Sequence, residues 1–270
     1  MTHFTLSAAI AASLLLAGAG AHAAPPAGQD AFAIGQVKVD VGGRKLNMYC
    51  AGKGSPTVVF EADGGRAGWD WSAVMPEVAK RTRACVYDRA GFGFSDPAIR
   101  ASTAGNASRD LSFLLKNARM MEGPYVVVGA GFGAMIAQQF ALRSRGGVTG
   151  LVLVEAMHED ALPKDAAASL AAADACLNAA IQGAPGAGCV YPASAINGEI
   201  GPALAAAQAA QAAKPAYWRA RASELDNLAA SASQMRSARK PFGDLPVVEV
   251  ARGEPAAIVA AVLEVLDKQK

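Results

Sequence analysis

Residues 125–141 read YVVVGAGFGAMIAQQFA, and the reading of this stretch decides the fold. Tyr125 to Gly129 is a short, continuous apolar run rich in Val, the pattern of a strand buried on both faces. Glycines at 129, 131 and 133 then mark a tight turn, and Phe132 to Arg143 follows with helical character. A buried strand that turns directly into a helix is half of a βαβ unit.

The same alternation extends outward in both directions. Upstream, Phe32 to Val41 alternates as a first strand, Gly42-Gly43 makes a hairpin turn, and Arg44 to Cys50 returns. Thr57 to Glu61 is a short apolar third strand. Trp69 to Arg81 has helical spacing, with Trp71, Val74 and Val78 along one face. Ala84 to Asp88 is the next strand and Asp110 to Met121 the next helix. Downstream, Gly150 to Glu155 and Pro246 to Ala251 read as strands, and Ala256 to Leu266 as an amphipathic closing helix. Between them, from Glu159 to about Lys240, strand formers thin out and alanine dominates, as in AAASLAAADACLNAA. Tyr217, Trp218 and two cysteines argue that this segment, 159–240, is an ordered helical cap over the sheet. No internal repeat is present. The pattern is that of an α/β protein with a mostly parallel sheet.

Residues 1–23 carry no Asp, Glu, Lys or Arg, with an apolar core at Ala8–Leu16 and a small-x-small Ala21-His22-Ala23. This reads as a cleaved signal peptide, which places the mature chain, 24–270, outside the cytoplasm as a periplasmic or secreted protein. The apolar run is shorter than the roughly 20 residues a membrane span needs. The net charge of +2 is near neutral, and no basic stripe interleaved with aromatics points to nucleic acid. The length suits one sizeable α/β domain with a full core. The four cysteines, Cys50, Cys85, Cys176 and Cys189, fit no zinc spacing. Cys50 and Cys85 lie near apolar strands, and Cys176 and Cys189 in one helical region, so we pair them in that way. In the chain-entropy model each bridge stabilises by about 3–4 kcal/mol.

Three stretches carry a resemblance. CVYDRAGFGFSDP (Cys85–Pro97) is similar to the loop after the fourth strand of the α/β-hydrolases, YVVVGAGFGAMIAQQFA to their nucleophile elbow with its helix, and GLVLVEAMHED (Gly150–Asp160) to their sixth strand and its exit. The chain thus resembles a secreted bacterial α/β-hydrolase over nearly all of its expected mature length. The resemblance implies a sheet with an antiparallel edge at its start, and the esterase, lipase or peptidase chemistry of hydrolases that need no cofactor.

The catalytic parts do not follow. Such chemistry needs a serine activated by a histidine that a carboxylate orients. The serine position of the elbow holds Gly131, which adopts the strained turn at little cost but has no Oγ. The base follows the eighth strand in the family, yet only Arg252, Gly253 and Glu254 separate Ala251 from Pro255, too few for that strand and its loop. The one histidine of the expected mature chain, His158, matches a loop histidine of the sixth-strand exit. Glu155 stands where some relatives draw their acid; with no imidazole to orient, it reads as a hydrogen-bonding residue under the cap. The backbone N–H groups of Gly64 and Phe132 match the oxyanion hole, but Asp63 occupies a position often held by glycine. Ser95 and Ser72 lie near the expected cleft without a base, and Ser95 reads as a turn residue. Asp88 and Arg89 read as residues that hold their loop by local hydrogen bonds and an ion pair. The basic cluster Arg236, Arg239 and Lys240 reads as a solvated helix face.

The expectation is therefore an α/β-hydrolase sheet of about seven strands with a helical cap, lacking the last strand and no intact catalytic set. Ligand contacts are expected from Asp63, Gly64, Ser95, Phe132 and His158, with no metal and no cofactor. The ligand expected is small, apolar or ester-like. Two alternatives stay open: a residual carboxylic-ester hydrolase with an unconventional nucleophile, and an interaction module. The latter would use the exposed sheet edge or the cap, as a homodimer or with a partner protein.

Overall fold

The computed structural model describes Met1 and residues 28–120, 123–144, 147–184, 186–194, 196–251 and 255–269. The signal-peptide reading of 1–23 lies, apart from Met1, outside the described residues. Seven strands form one sheet: β1 (Val37–Asp40), β2 (Lys45–Ala51), β3 (Thr57–Glu61), β4 (Ala84–Tyr87), β5 (Tyr125–Ala130), β6 (Val148–Val154) and β7 (Val247–Val250). Their order is β1-β2-β4-β3-β5-β6-β7. Pairings β1–β2 and β2–β4 are antiparallel and all others parallel, so the antiparallel edge lies at the start of the sheet.

Period-2 alternation divides the central strands between two cores. Val58, Phe60, Val126, Val128 and Val152 face one side, where Ile258, Val262 and Val265 of α8 (Pro255–Asp267) cover them. Val59, Val127, Leu151 and Leu153 face the other, against α2 (Ala104–Asn117) and α3 (Phe132–Arg143) through Leu111, Leu114 and Phe140. Burial on both faces is why these strands read as continuous apolar runs.

Three sequence boundaries shift most, each for a local reason. The first strand starts at Val37 and not Phe32, because 28–33 form a 3₁₀ turn that seats Phe32 edge-on against Tyr49, with centroids 5.2 Å apart. The Trp69–Arg81 helix divides into a 3₁₀ turn, Gly68–Trp71, and the short α1 (Met75–Ala79). Pro76 lacks an N–H, so it sits in the first turn of a helix and cannot lie in the interior of a longer one. Trp71, Val74 and Val78 are nonetheless buried. Helix α2 begins at Ala104, six residues before the expected Asp110, because Thr103 caps it by accepting from the Asn106 N–H at 3.2 Å.

Between β6 and β7 lie α4 (Ala166–Ile181), α5 (Pro202–Ala212), α6 (Pro215–Asp226) and α7 (Leu228–Ala238). The disulfide Cys176–Cys189 ties α4 to the segment after it, and Cys50–Cys85 links directly opposed residues of β2 and β4. Among the described residues, β7 is the outermost strand and is followed by α8 with no eighth strand. No described helix is long and apolar enough to cross a membrane.

Candidate functional site

The strand β5 delivers the chain to Gly131 at the N-terminus of α3, where φ is 51° and ψ −118°. That left-handed backbone favours glycine, although the elbow of a hydrolase imposes it on a serine. Gly133 is required by proximity: a Cβ there would meet the carbonyl oxygens of Ala62 and Glu61 at 2.3 and 2.6 Å. The turn that positions a nucleophile is thus intact in its backbone. It presents no side chain.

Directly across from Gly131 stands Asp63, in the loop after β3. One of its oxygens, Oδ1, accepts from the Phe132 N–H at 2.8 Å and from its own neighbour's N–H, that of Gly64, at 2.6 Å. These are the two donors that sequence reading assigned to an oxyanion hole, and they converge on the Asp63 carboxylate. Helix α3 adds the positive end of its dipole to the same point. Arg89 Nη2 donates to the Asp63 carbonyl at 2.8 Å, and the Arg66 N–H donates to that carbonyl at 3.1 Å, so the loop is held in this pose.

Behind the loop lies a buried charge network. Arg89 Nη1 donates to Glu61 Oε1 at 2.6 Å and to the Ala62 carbonyl, while its Nε donates to Glu224 Oε1 at 2.9 Å. Glu224 comes from α6, and its Oε2 accepts from the Gly65 N–H at 2.6 Å. The Tyr87 hydroxyl donates to Glu61 Oε2. One guanidinium therefore fastens the helical segment to the carboxyl ends of β3 and β4. Burial raises the Glu61 carboxyl above its ordinary value, against the pull of Arg89 and the Tyr87 hydroxyl. Burial alone would lower Arg89, but Glu224 and Glu61 together hold it above the ordinary arginine value. The Asp88 carboxylate bonds its own loop through the Phe94 N–H at 2.9 Å and otherwise ties that loop to its neighbours, accepting from the Gly68 N–H at 2.8 Å and from Asn47 Nδ2 of β2 at 3.0 Å. Burial raises Asp88 as well, and the two backbone N–H bonds oppose that rise.

The Asp63 side of this assembly opens into a cavity of about 230 Å³. Phe132, Met157, Leu225 and Leu228 supply its apolar wall, with Asp63, Gly64, Arg221 and Glu224 on the polar side. Arg221 and Glu224 had no role in the sequence reading. Their signal was a charged pair three residues apart on one helix beside Tyr217 and Trp218, inside the alanine-rich segment.

Asp63, Gly64, Gly131 and Phe132 thus come together, while three expected residues do not. Ser95 is a turn residue and lies off the cavity: its Oγ donates to the Asp88 carbonyl at 2.6 Å and accepts from the Asn47 N–H at 2.8 Å. Glu155 is exposed and not covered by the cap helices, because the chain leaves β6 there with φ 42° and its N–H donates to the Val250 carbonyl. His158 is also exposed and is not among the residues that line the cavity, its Nε2 lying 3.2 Å from Arg239 Nη2. Ser72 is buried, with no hydrogen-bond partner for its Oγ among the described residues. His158, Glu159 and Asp160 bring ligand-type atoms within 4.8 Å of one another. Glu159 is already paired with Arg239, and Asp160 with Arg236, so the trio is an ion-pair cluster of the surface loop.

The profile of the family described as the alpha/beta hydrolase fold matches residues 56–179. YqjL of Bacillus subtilis (strain 168) is 32% identical over 104 residues, 38% of this chain and 41% of that protein. The 2-hydroxymuconate semialdehyde hydrolase of Pseudomonas sp. (strain CF600) is 32% identical over 114 residues, 42% of this chain and 40% of the enzyme. The matched segment therefore spans about two fifths of each relative's length. A solved putative epoxide hydrolase from Pseudomonas aeruginosa superposes with a TM-score of 0.66 at 14% identity, covering 86% of this chain and 95% of that one. The strand order, the strand–glycine–helix turn at Gly131 and these likenesses agree, and the chain has the α/β-hydrolase fold.

Proposed function

We propose that this α/β-hydrolase-fold protein is catalytically inactive and that its cleft binds a small, largely apolar ligand. One observation carries the reading: Asp63 Oδ1 occupies the point where the Gly64 and Phe132 N–H groups converge, and Gly131 offers no side chain beside it. A hydrolase needs that point open for a developing oxyanion and needs a nucleophile next to it. Here a resident negative charge fills it. His158 is exposed, does not line the cavity and has Arg239 beside its Nε2, so it supplies no base. Loss of triad members lowers rates by many powers of ten. The cavity lies below the roughly 300–1,000 Å³ of drug-sized sites, which favours a small ligand. Two disulfides support the reading of an exported chain.

The test is hydrolysis of a short-chain aryl ester by the full chain, by Gly131→Ser and by Asp63→Gly/Gly131→Ser, against heat-killed protein. All three are expected to stay at the blank. Turnover by the unmodified chain would establish the alternative, a hydrolase with an unconventional nucleophile.

A second reading, an interaction module, draws on β7, which pairs on one side only among the described residues and leaves Val247 38% exposed. Light scattering across a concentration series tests it: a mass that stays monomeric removes self-association through that edge.

A further inference from the structure

Arg221 of α6 is placed over the loop that carries Asp63. A Cβ on Gly65 would fall 2.7 Å from Arg221 Cδ and 2.8 Å from its Nε, and one on Gly64 would fall 3.0 Å from its Nη1. The two glycines therefore leave the space that this side chain fills. Its side chain is 27% exposed, at the wall of the 230 Å³ cavity.

Among the described residues the guanidinium is poorly matched. Its nearest carboxylate, Glu224, lies 3.8 Å away, beyond hydrogen-bonding distance. Both oxygens of Glu224 are already engaged elsewhere, Oε1 by Arg89 and Oε2 by the Gly65 N–H. Asp63 Oδ1 is likewise turned to the two N–H groups of the elbow. Among the described residues Arg221 makes no hydrogen bond, although a guanidinium offers five donors in a planar fork that suits a carboxylate. The same cavity is also lined by the apolar Phe132, Met157, Leu225 and Leu228.

We propose that the cleft binds a short-chain aliphatic monocarboxylate, with its carboxylate on Arg221 and its alkyl body against Phe132, Met157, Leu225 and Leu228. This rests on the reading of the cleft as a ligand site and adds the ligand's chemical class. Asp63 and the exposed Asp165 are like charges lining the same cavity. They disfavour polyanions and leave room for one negative head on Arg221. The cavity size excludes long chains. A neutral head group would leave the guanidinium without its partner.

The test is titration of the full chain with hexanoate, hexanamide and hexanol, followed by ligand-observed NMR and calorimetry, alongside Arg221→Gln and Arg221→Lys. Hexanoate is expected to bind saturably, at least tenfold more tightly than the amide or the alcohol. Arg221→Gln should lose that preference and Arg221→Lys should keep part of it. Equal affinity for amide and acid, unchanged hexanoate binding in Arg221→Gln, or no saturable binding of hexanoate overturns the proposal. Ester turnover measured on the same samples reports separately on inactivity, so the two readings fail independently.

Discussion

A Cβ at position 131 would lie 1.9 Å from Asp63 Oδ1 and 2.3 Å from Asp63 Cγ. The glycine at the nucleophile position and the aspartate in the N–H nest therefore presuppose one another. Serine at 131 has to expel the Asp63 carboxylate from two charge-assisted hydrogen bonds or overpack against it. Gly131→Ser should cost about 2–4 kcal/mol in urea denaturation. In an Asp63→Gly background the serine should be better tolerated, with a coupling of about 1–3 kcal/mol in the double-mutant cycle. Strict additivity would show that the two sites are independent.

Glu224 is the latch between α6 and the sheet, because it receives both Arg89 and the Gly65 N–H. Glu224→Ala removes one counter-charge from a buried guanidinium and orphans a buried donor. Breaking such a pair from one side costs about 3–5 kcal/mol. Glu224→Gln keeps the acceptor for Gly65 and should cost less. Thermal melts of the two variants check the order, and equal losses would show that packing alone sets the latch.

Much of this architecture was legible in the sequence, but the network at its centre was not. The Val-rich strands and the glycines at 129, 131 and 133 announce themselves because burial on both faces and close backbone approach each demand particular residue types. Helix α3 matches its sequence boundaries at both ends. The latch does not announce itself. Glu61 ends an apolar strand, Arg89 lies 28 residues later and Glu224 a further 135, and only the fold brings them within hydrogen-bonding distance. Asp63 was noticed as a charge in the wrong place, yet nothing local revealed that its carboxylate turns back onto Gly64 and Phe132. Ser95 and His158 were drawn toward the cleft by their motifs. Neither lines the cavity, since Ser95 is bonded to the Asp88 carbonyl and His158 is exposed beside Arg239.

The disulfide Cys176–Cys189 closes a span of 13 residues at the end of α4. Just beyond it, Tyr191 donates to Asp70 at 3.2 Å and accepts from the Ala67 N–H at 2.9 Å, and Arg66 donates to the Pro192 carbonyl at 3.1 Å. The bridge therefore shortens the path between the helical segment and its anchor on the loop after β3. Replacing both cysteines by serine should cost about 3 kcal/mol. Hydrogen exchange should accelerate in α4 while β3 and β5 keep their protection. Equal acceleration in the central strands would mean that the bridge supports the whole fold.

The buried carboxyl of Glu61 gives stability a pH dependence with a definite sign. Burial raises its folded-state value above the ordinary 4.5. Between 4.5 and that raised value the folded chain binds more protons than the unfolded chain. The stability it contributes is complete below 4.5 and is lost as pH rises through the folded value. Asp70 and Asp88 are raised by burial in the same direction, so they add to the trend. Glu61→Gln does not titrate, and its stability deficit relative to the unmodified chain should be largest near pH 4 and shrink toward neutrality. Denaturation curves at several pH values measure that difference directly. A deficit that grows with pH would mean that the ion pair with Arg89 outweighs burial and that Glu61 is held below its ordinary value.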